Sequence, residues 1–133
     1  MRLNEIYQKF KNKVEFCCIY IREAHPEDSL GGFRTERNWS AGIIYDQPTT
    51  IEDRGKIAEV CVLKLNLEMS MYLDGMEDEA EKKYAGWPER LYVIGANGKV
   101  AYAGDMGPMG FDPDSWEQAL IKQSQTNDVI NKF

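Results

Sequence analysis

The order of apolar and polar positions predicts alternating helices and strands. The apolar residues near the N-terminus are spaced at i, i+3, i+4 and i+7: Leu3, Ile6, Tyr7 and Phe10. This spacing predicts an amphipathic helix over residues 3–13 with these four residues on one face. Residues 14–21 (VEFCCIYI) are rich in β-branched and aromatic residues and are apolar at odd and even positions alike. Such a strand is typically covered on both faces, as in α/β proteins.

The middle of the chain predicts a long connection, a helix and a second strand. Residues 26–49 are rich in Gly, Pro and Asn, and a loop of this length in a compact domain is usually functional. Thr50 and Asp53 have the spacing of a capping box. We expect the helix that follows to bury a stripe formed by Ile57, Ala58, Cys61 and Leu65. A weaker strand is predicted over residues 67–74.

The last part of the chain predicts a short helix, a hairpin and a final helix. Residues 78–84 form an acidic helical segment. In LYVIGANGKVAYAG (91–104), two apolar runs flank Asn97-Gly98, a pair suited to a tight turn with positive φ. Asp112 is a good N-cap and Pro113 suits the first helical position. The order of elements predicts one α/β domain spanning residues 1–133.

Composition excludes several classes of protein. The chain has 133 residues, 43% apolar and 29% charged, as expected for one globular domain. A net charge of −6 argues against a nucleic-acid partner. No segment is apolar over the roughly 18–20 residues that a membrane span needs, and the charged N-terminus has no signal-peptide core. We therefore expect a cytoplasmic protein without a membrane partner.

The cysteines do not indicate a disulfide framework or a metal site. Cys17 and Cys18 are neighbours in a strand and so point to opposite faces, and Cys61 makes the count odd. We expect all three to be small buried apolar residues in a reducing compartment. With one histidine and no C-x-x-C spacing, no zinc site is predicted.

The only histidine, His25, lies just beyond the predicted buried strand. Strand ends in α/β sheets are where functional groups gather, and histidine gains or loses a proton near neutral pH. The alternative is a histidine that only caps the strand end by hydrogen bonds. The residues alone leave both interpretations open.

Three segments carry a resemblance to a known family. The three segments are residues 19–25 (IYIREAH), residues 88–94 (PERLYVI), and a final set formed by Tyr102, Gly104, Gly107 and Pro108. In this order they resemble segments of the iodothyronine deiodinases. The resemblance runs from about residue 3 to residue 123 and implies a thioredoxin-like fold with thiol-dependent reductive chemistry. Around Gln47-Pro48-Thr49 the chain is more similar to the bacterial members.

The resemblance implies roles for five residues. His25 and Glu89 match positions associated with proton transfer, and Pro88 matches a proline that is cis in thioredoxin-like folds, although a trans proline is equally open here. Trp87, Pro88 and Met106 are expected to line the substrate pocket. Trp87 stands where the hormone enzymes carry a tyrosine, and Met106 where some members carry an arginine, so thyroid hormone is a doubtful substrate.

The resemblance also implies a first strand and a selenocysteine or cysteine motif, and the chain starts after both. We expect that the chain is N-terminally truncated and that the nucleophile lies upstream. No bound cofactor is expected, only a small-molecule substrate and a thiol reductant. The rival hypothesis is an inactive binding domain that uses the loop aromatics Trp39 and Tyr45. A domain without the first strand would have to repair its sheet or form a homodimer, because the edges of two strands would be left unpaired.

Overall fold

The computed structural model describes residues 1–28, 36, 40, 42 and 45–130. The helices and strands, in chain order, are α1 (Arg2–Phe10), β1 (Cys17–Tyr20), α2 (Ile51–Leu65), β2 (Ser70–Leu73), α3 (Glu79–Tyr84), β3 (Tyr92–Ile94), β4 (Val100–Ala103) and α4 (Pro113–Ile130). The α/β class predicted from the sequence is confirmed. The strands are shorter than predicted.

The chain divides into two compact units. The first consists of Met1–Phe16 and the chain from Glu89 onward, and the second is Cys17–Pro88. We call them the hairpin unit and the crossover unit. A single domain over the whole chain stays a prediction.

The crossover unit is built on two parallel strands joined through α2. The register pairs Cys17 with Ser70 and Tyr20 with Leu73. The predicted cap is confirmed, since the Thr50 side chain accepts a hydrogen bond from the backbone N–H of Asp53. The buried residues in α2 and just before β2 are Arg54, Ile57, Ala58, Cys61 and Met69. The prediction of a buried Leu65 is wrong, because it is 45% exposed in the last turn of α2.

Strand β1 is less covered than the sequence predicted. Cys17 and Ile19 are exposed, whereas Cys18 and Tyr20 are only half-buried. Among the described residues, β2 is the only strand that pairs with β1, so β1 lies at the edge of a two-stranded sheet. The prediction that all three cysteines are buried therefore holds for Cys61 and is wrong for Cys17.

The hairpin unit contains the antiparallel pair of β3 and β4. Val93 pairs with Tyr102, and a register irregularity follows Val93. The turn occupies residues 95–99. Gly98 has φ +76°, and the side chain of Asn97 accepts a hydrogen bond from a backbone N–H at 3.0 Å. The hairpin predicted at Asn97-Gly98 is confirmed.

Helix α4 holds the hairpin and α1 together within this unit. Its start is capped by Asp112, which accepts backbone hydrogen bonds from two residues of the first turn, as predicted. Trp116 is buried and its indole N–H donates to the carbonyl of Tyr92 at 2.9 Å. On the α1 side, Glu117 accepts hydrogen bonds from Lys9 and Arg2, which lower the pKa of this carboxyl.

Candidate functional site

The segment after β1 is fixed by polar contacts. The Tyr20 hydroxyl donates to a carboxylate oxygen of Glu23. The backbone N–H of Glu23 donates to Oε1 of Gln47 at 2.8 Å, and Nε2 of Gln47 donates to the Glu23 carbonyl at 2.9 Å. The Glu27 N–H donates to the Tyr45 carbonyl at 2.7 Å. The two segments, residues 21–28 and 45–48, therefore hold each other in place, and we call them the strand-end site.

His25 lies in the strand-end site, half-buried and two residues beyond Glu23. Its predicted place just past a strand end is confirmed, because β1 ends at Tyr20. Next to it, Pro26 is fully buried and anchors the turn of the chain. Whether His25 transfers protons or only caps the strand stays a prediction.

Burial and negative charge keep protons on two groups that adjoin this site, Tyr20 and Cys61. Burial, followed by the charge of Glu23, raises the pKa of Tyr20. The same two causes raise the pKa of Cys61 to about 11, although a hydrogen bond from Tyr20 opposes them. At neutral pH the phenol and the thiol are both protonated. These two groups therefore keep their protons at neutral pH, and Cys61 does not offer a thiolate.

Trp87 and Pro88 lie at the end of the crossover unit, and the peptide bond between them is cis. The sequence had left this bond undecided. The Trp87 indole is half-buried and stacks against Arg22 in the strand-end site. The structure thus places one of the predicted pocket residues in contact with the chain segment that carries His25.

Glu89 and Met106 lie in the hairpin unit. The backbone N–H of Gly107 donates to the Glu89 carbonyl at 3.0 Å. The Glu89 side chain lies over Gly107, so closely that a Cβ on Gly107 would be 2.5 Å from its carboxylate carbon. Met106 is 54% exposed and Met109 98% exposed on the same loop. Glu89 is thus placed beside an exposed apolar loop, and a glycine provides the room.

Among the described residues, none of the three cysteines lies at a helix N-terminus, and at Cys61 burial outweighs the opposing effect of the Lys64 charge on the thiol pKa. A thiolate is favoured at a helix N-terminus or beside a cation. Cys17 and Cys18 lie on β1, and burial raises the pKa of Cys18. Cys61 lies in the second half of α2. The expectation that these cysteines do not supply the nucleophile stays a prediction.

Two broader features follow from the part of the chain that the structure describes. No group of three or more His, Cys, Asp or Glu residues there is placed to hold a metal ion. Within the same residues, no helix has the length and apolar character that crossing a membrane requires. Trp39, one of the two predicted contact aromatics, lies outside the described residues, whereas Tyr45 is half-buried in the strand-end site.

Sequence reasoning missed three polar residues that shape the site. Tyr20 and Glu23 were treated only as parts of a motif, and Gln47 as part of a loop. A polar residue three positions beyond the last strand residue carries no periodic signal. Arg54 was missed as well, although it lies three residues before Ile57 on the buried face of α2. That spacing was the one available signal.

A β-α-β crossover followed by a hairpin and a C-terminal helix is the element order of thioredoxin-like α/β proteins. Comparison with known proteins identifies the family within this class. The sequence profile of the family described as iodothyronine deiodinase matches residues 2–124. The chain belongs to the iodothyronine deiodinase family.

Curated relatives in this family are animal proteins. Thyroxine 5-deiodinase of Sus scrofa is 37% identical over 117 residues, which cover 88% of this chain and 36% of the relative. Type I iodothyronine deiodinase of Xenopus laevis is 30% identical over 122 residues, covering 90% and 44%. Thyroxine 5-deiodinase of Homo sapiens is 35% identical over 103 residues, covering 77% and 31%. The chain thus spans less than half the length of these relatives, and its likeness to bacterial members stays a prediction.

Proposed function

We propose that this chain is part of a thiol-dependent oxidoreductase that reductively removes halogen from a small aromatic molecule. The family match over residues 2–124 carries the proposal. The proton-holding strand-end site supports it, because reductive dehalogenation must deliver a proton to the carbon that loses the halogen. A peroxide is the second substrate class compatible with the same chemistry.

The reaction balances with two thiols per halogen. A selenolate or thiolate takes the halogen from the aryl carbon, and that carbon takes a proton. One thiol then displaces halide from the chalcogen, and a second thiol regenerates the chalcogenate and leaves as disulfide. The sum is ArX + 2 RSH → ArH + HX + RSSR. A thiol reductant is therefore the expected partner.

In this proposal the residues of the chain supply and orient protons. His25 is the group best suited to donate near neutral pH. The Tyr20–Glu23 hydrogen bond would keep a proton at the strand end. Glu89 is a second candidate for a proton relay. Trp87 and Pro88 would line the substrate pocket.

The exposed loop of the hairpin unit is proposed to contact an apolar part of the substrate. Met106 presents a thioether, and its neighbour on the loop, Met109, is also exposed. Glu89, whose carboxylate lies over Gly107 on the same loop, would repel a carboxylate on the substrate. A halogenated phenol suits these surroundings better than an amino-acid hormone.

The attacking chalcogen is proposed to come from outside these 133 residues. The raised pKa values of Cys18 and Cys61 support this, since a protonated thiol is a poor nucleophile. The exposed residues of β1, Cys17 and Ile19, suit a strand that pairs with one more segment. A second copy of the chain pairing along this edge would give a homodimer instead.

The first test compares the 133-residue chain with the polypeptide isolated from its natural source. Intact mass and selenium content are measured for the natural polypeptide. Iodide release from 2,6-diiodophenol with dithiothreitol is measured for both. We expect release only from a longer polypeptide that carries selenium or an additional cysteine, and we expect His25→Ala in that polypeptide to lower it. Thiol-dependent release by the 133-residue chain would contradict the placement of the nucleophile.

A non-catalytic binding domain is the second candidate. If the natural polypeptide has the 15.3 kDa mass of this chain, the three cysteines are its only thiols, and their positions then favour the binding domain over the enzyme. The loop that contains Trp39 and Tyr45 would then supply the binding surface. Absence of thiol-dependent turnover from a natural polypeptide of that mass would favour this candidate over the enzyme.

A further inference from the structure

A cation–π pair fixes one wall of the proposed pocket. The guanidinium carbon of Arg22 lies 4.8 Å from the centroid of the Trp87 ring. This is within the roughly 6 Å at which a cation over an indole face is attracted by the ring electrons. One face of the indole is therefore covered by protein.

The guanidinium is itself held in place. Nε of Arg22 donates to Oε2 of Glu81 at 2.9 Å, and the Glu81 side chain is only 11% exposed. The backbone N–H of Glu81 donates to the carboxylate of Asp74 at 2.9 Å. The carbonyl of Asp74 accepts a hydrogen bond from Arg54, which is 2% exposed. A chain of hydrogen bonds thus connects Arg22 to the buried core of the crossover unit.

The indole N–H of Trp87 is a buried hydrogen-bond donor that lacks an acceptor among the described residues. A buried donor without an acceptor is destabilising, so such a group usually has a reason to be there. An acceptor atom of a bound molecule would satisfy it.

We propose that Arg22 is a positioning residue, which fixes the orientation of the Trp87 indole so that its N–H can donate to an acceptor atom of an aromatic substrate. This rests on the proposed function, which places Trp87 in the substrate pocket. Glu81 acts one step further back by holding Arg22. The pair sets how tightly a halogenated phenol is bound without any contact between Arg22 and the phenol.

The test follows Trp87 directly by ¹⁹F NMR of the full chain labelled with 5-fluorotryptophan. The chain contains three tryptophans, and Trp87→Phe identifies the resonance of Trp87. Without ligand, Arg22→Ala should shift and broaden this resonance, Arg22→Lys should restore part of the shift, and Glu81→Gln should give a smaller change. Lys83→Ala, which removes an exposed positive charge from the same helix as Glu81, is the matched control and should change nothing.

Titration with 2,6-diiodophenol then tests two points separately: the positioning role of Arg22 and the assignment of Trp87 to the substrate pocket. In the wild type the phenol should shift the Trp87 resonance, and Arg22→Ala should weaken binding about fivefold, as expected for the loss of a partly exposed cation–π contact. An unchanged resonance and affinity in Arg22→Ala would overturn the role of Arg22 and leave the pocket assignment standing. If the phenol does not shift the Trp87 resonance of the wild type, while the Arg22→Ala substitution does shift it, Trp87 does not lie in the substrate pocket. The inference then fails as well. Urea unfolding of each variant shows whether a change is local.

Discussion

Replacing Arg54 by methionine tests whether the crossover unit depends on one buried cation. The guanidinium donates to the carbonyls of Asp74 and Gly75 at 3.2 and 2.8 Å and to Oδ1 of Asp78 at 2.9 Å. These acceptors lie on the connection between β2 and α3. Methionine fills a similar length with apolar atoms, so the substitution removes the hydrogen bonds and leaves little cavity.

The expected cost comes from the acceptors left behind. The carboxylate of Asp78, 23% exposed, and the carbonyl of exposed Gly75 can regain water. The carbonyl of Asp74 belongs to a residue that is 4% exposed and stays without a donor. Removing one partner of a buried charged network costs about 3–5 kcal/mol, and the two rehydrated acceptors place this case at about 3 kcal/mol. Part of the cost is offset because Nε of Arg54 has no partner among the described residues.

Urea unfolding measures the global change, and hydrogen exchange locates it. The backbone N–H groups of Ala80 and Glu81, which donate to the Asp74 carboxylate, should lose protection first in Arg54→Met. Lys56→Met is the control, because Lys56 is exposed on the same helix and should alter stability by less than about 0.5 kcal/mol. A loss below about 1 kcal/mol in Arg54→Met, with unchanged exchange at these two amides, would refute the reasoning.

Three further predictions concern cysteine reactivity, a close contact and pH. At pH 8 iodoacetamide should label exposed Cys17 first and Cys61 last, because a pKa of about 11 rather than 9.0 leaves Cys61 about 100-fold less thiolate; equal rates by mass spectrometry would contradict this. Gly107→Ala should displace the Glu89 carboxylate, seen as a changed ¹³C carboxyl shift, and Glu89→Ala should relieve any loss of stability in the double variant; additive losses would argue against the contact. The stability that Glu117 contributes should be complete above its ordinary pKa of 4.5 and lost as pH falls below it, since its folded pKa is lowered; Glu117→Gln should therefore show a weaker fall in urea midpoint below that pH, and parallel curves would contradict the assignment.

The elements that could be predicted from sequence are those set by local chemistry. The cap at Thr50, the turn at Gly98 and the N-cap at Asp112 were correct because each depends on a few neighbouring residues. Burial was predicted less well. Leu65 and Cys17 were expected in the core, but burial depends on which distant segments cover a position, and local periodicity carries no information about that.

The candidate site was predictable only in part for the same reason. His25 was found from its place beyond a strand, but the bond between Glu23 and Gln47 joins residues 24 positions apart. The pairing of Arg22 with Trp87 spans a still longer separation along the chain. Contacts of this kind follow from tertiary structure, and neither spacing nor composition marks them in advance.

The surroundings of Cys61, next to the strand-end site, explain why this cysteine is a poor candidate for the nucleophile. A nucleophilic chalcogen needs surroundings that stabilise negative charge, such as a helix N-terminus or a cation. A thiol or phenol that stays protonated at neutral pH needs the opposite, namely burial or nearby negative charge. Cys61 shares the surroundings of Tyr20 and Glu23, which raise the pKa of the thiol and of the phenol alike. Burial and the charge of Glu23 thus keep Cys61 protonated at neutral pH, and in the proposed enzyme the chalcogen would reach the site on a different segment.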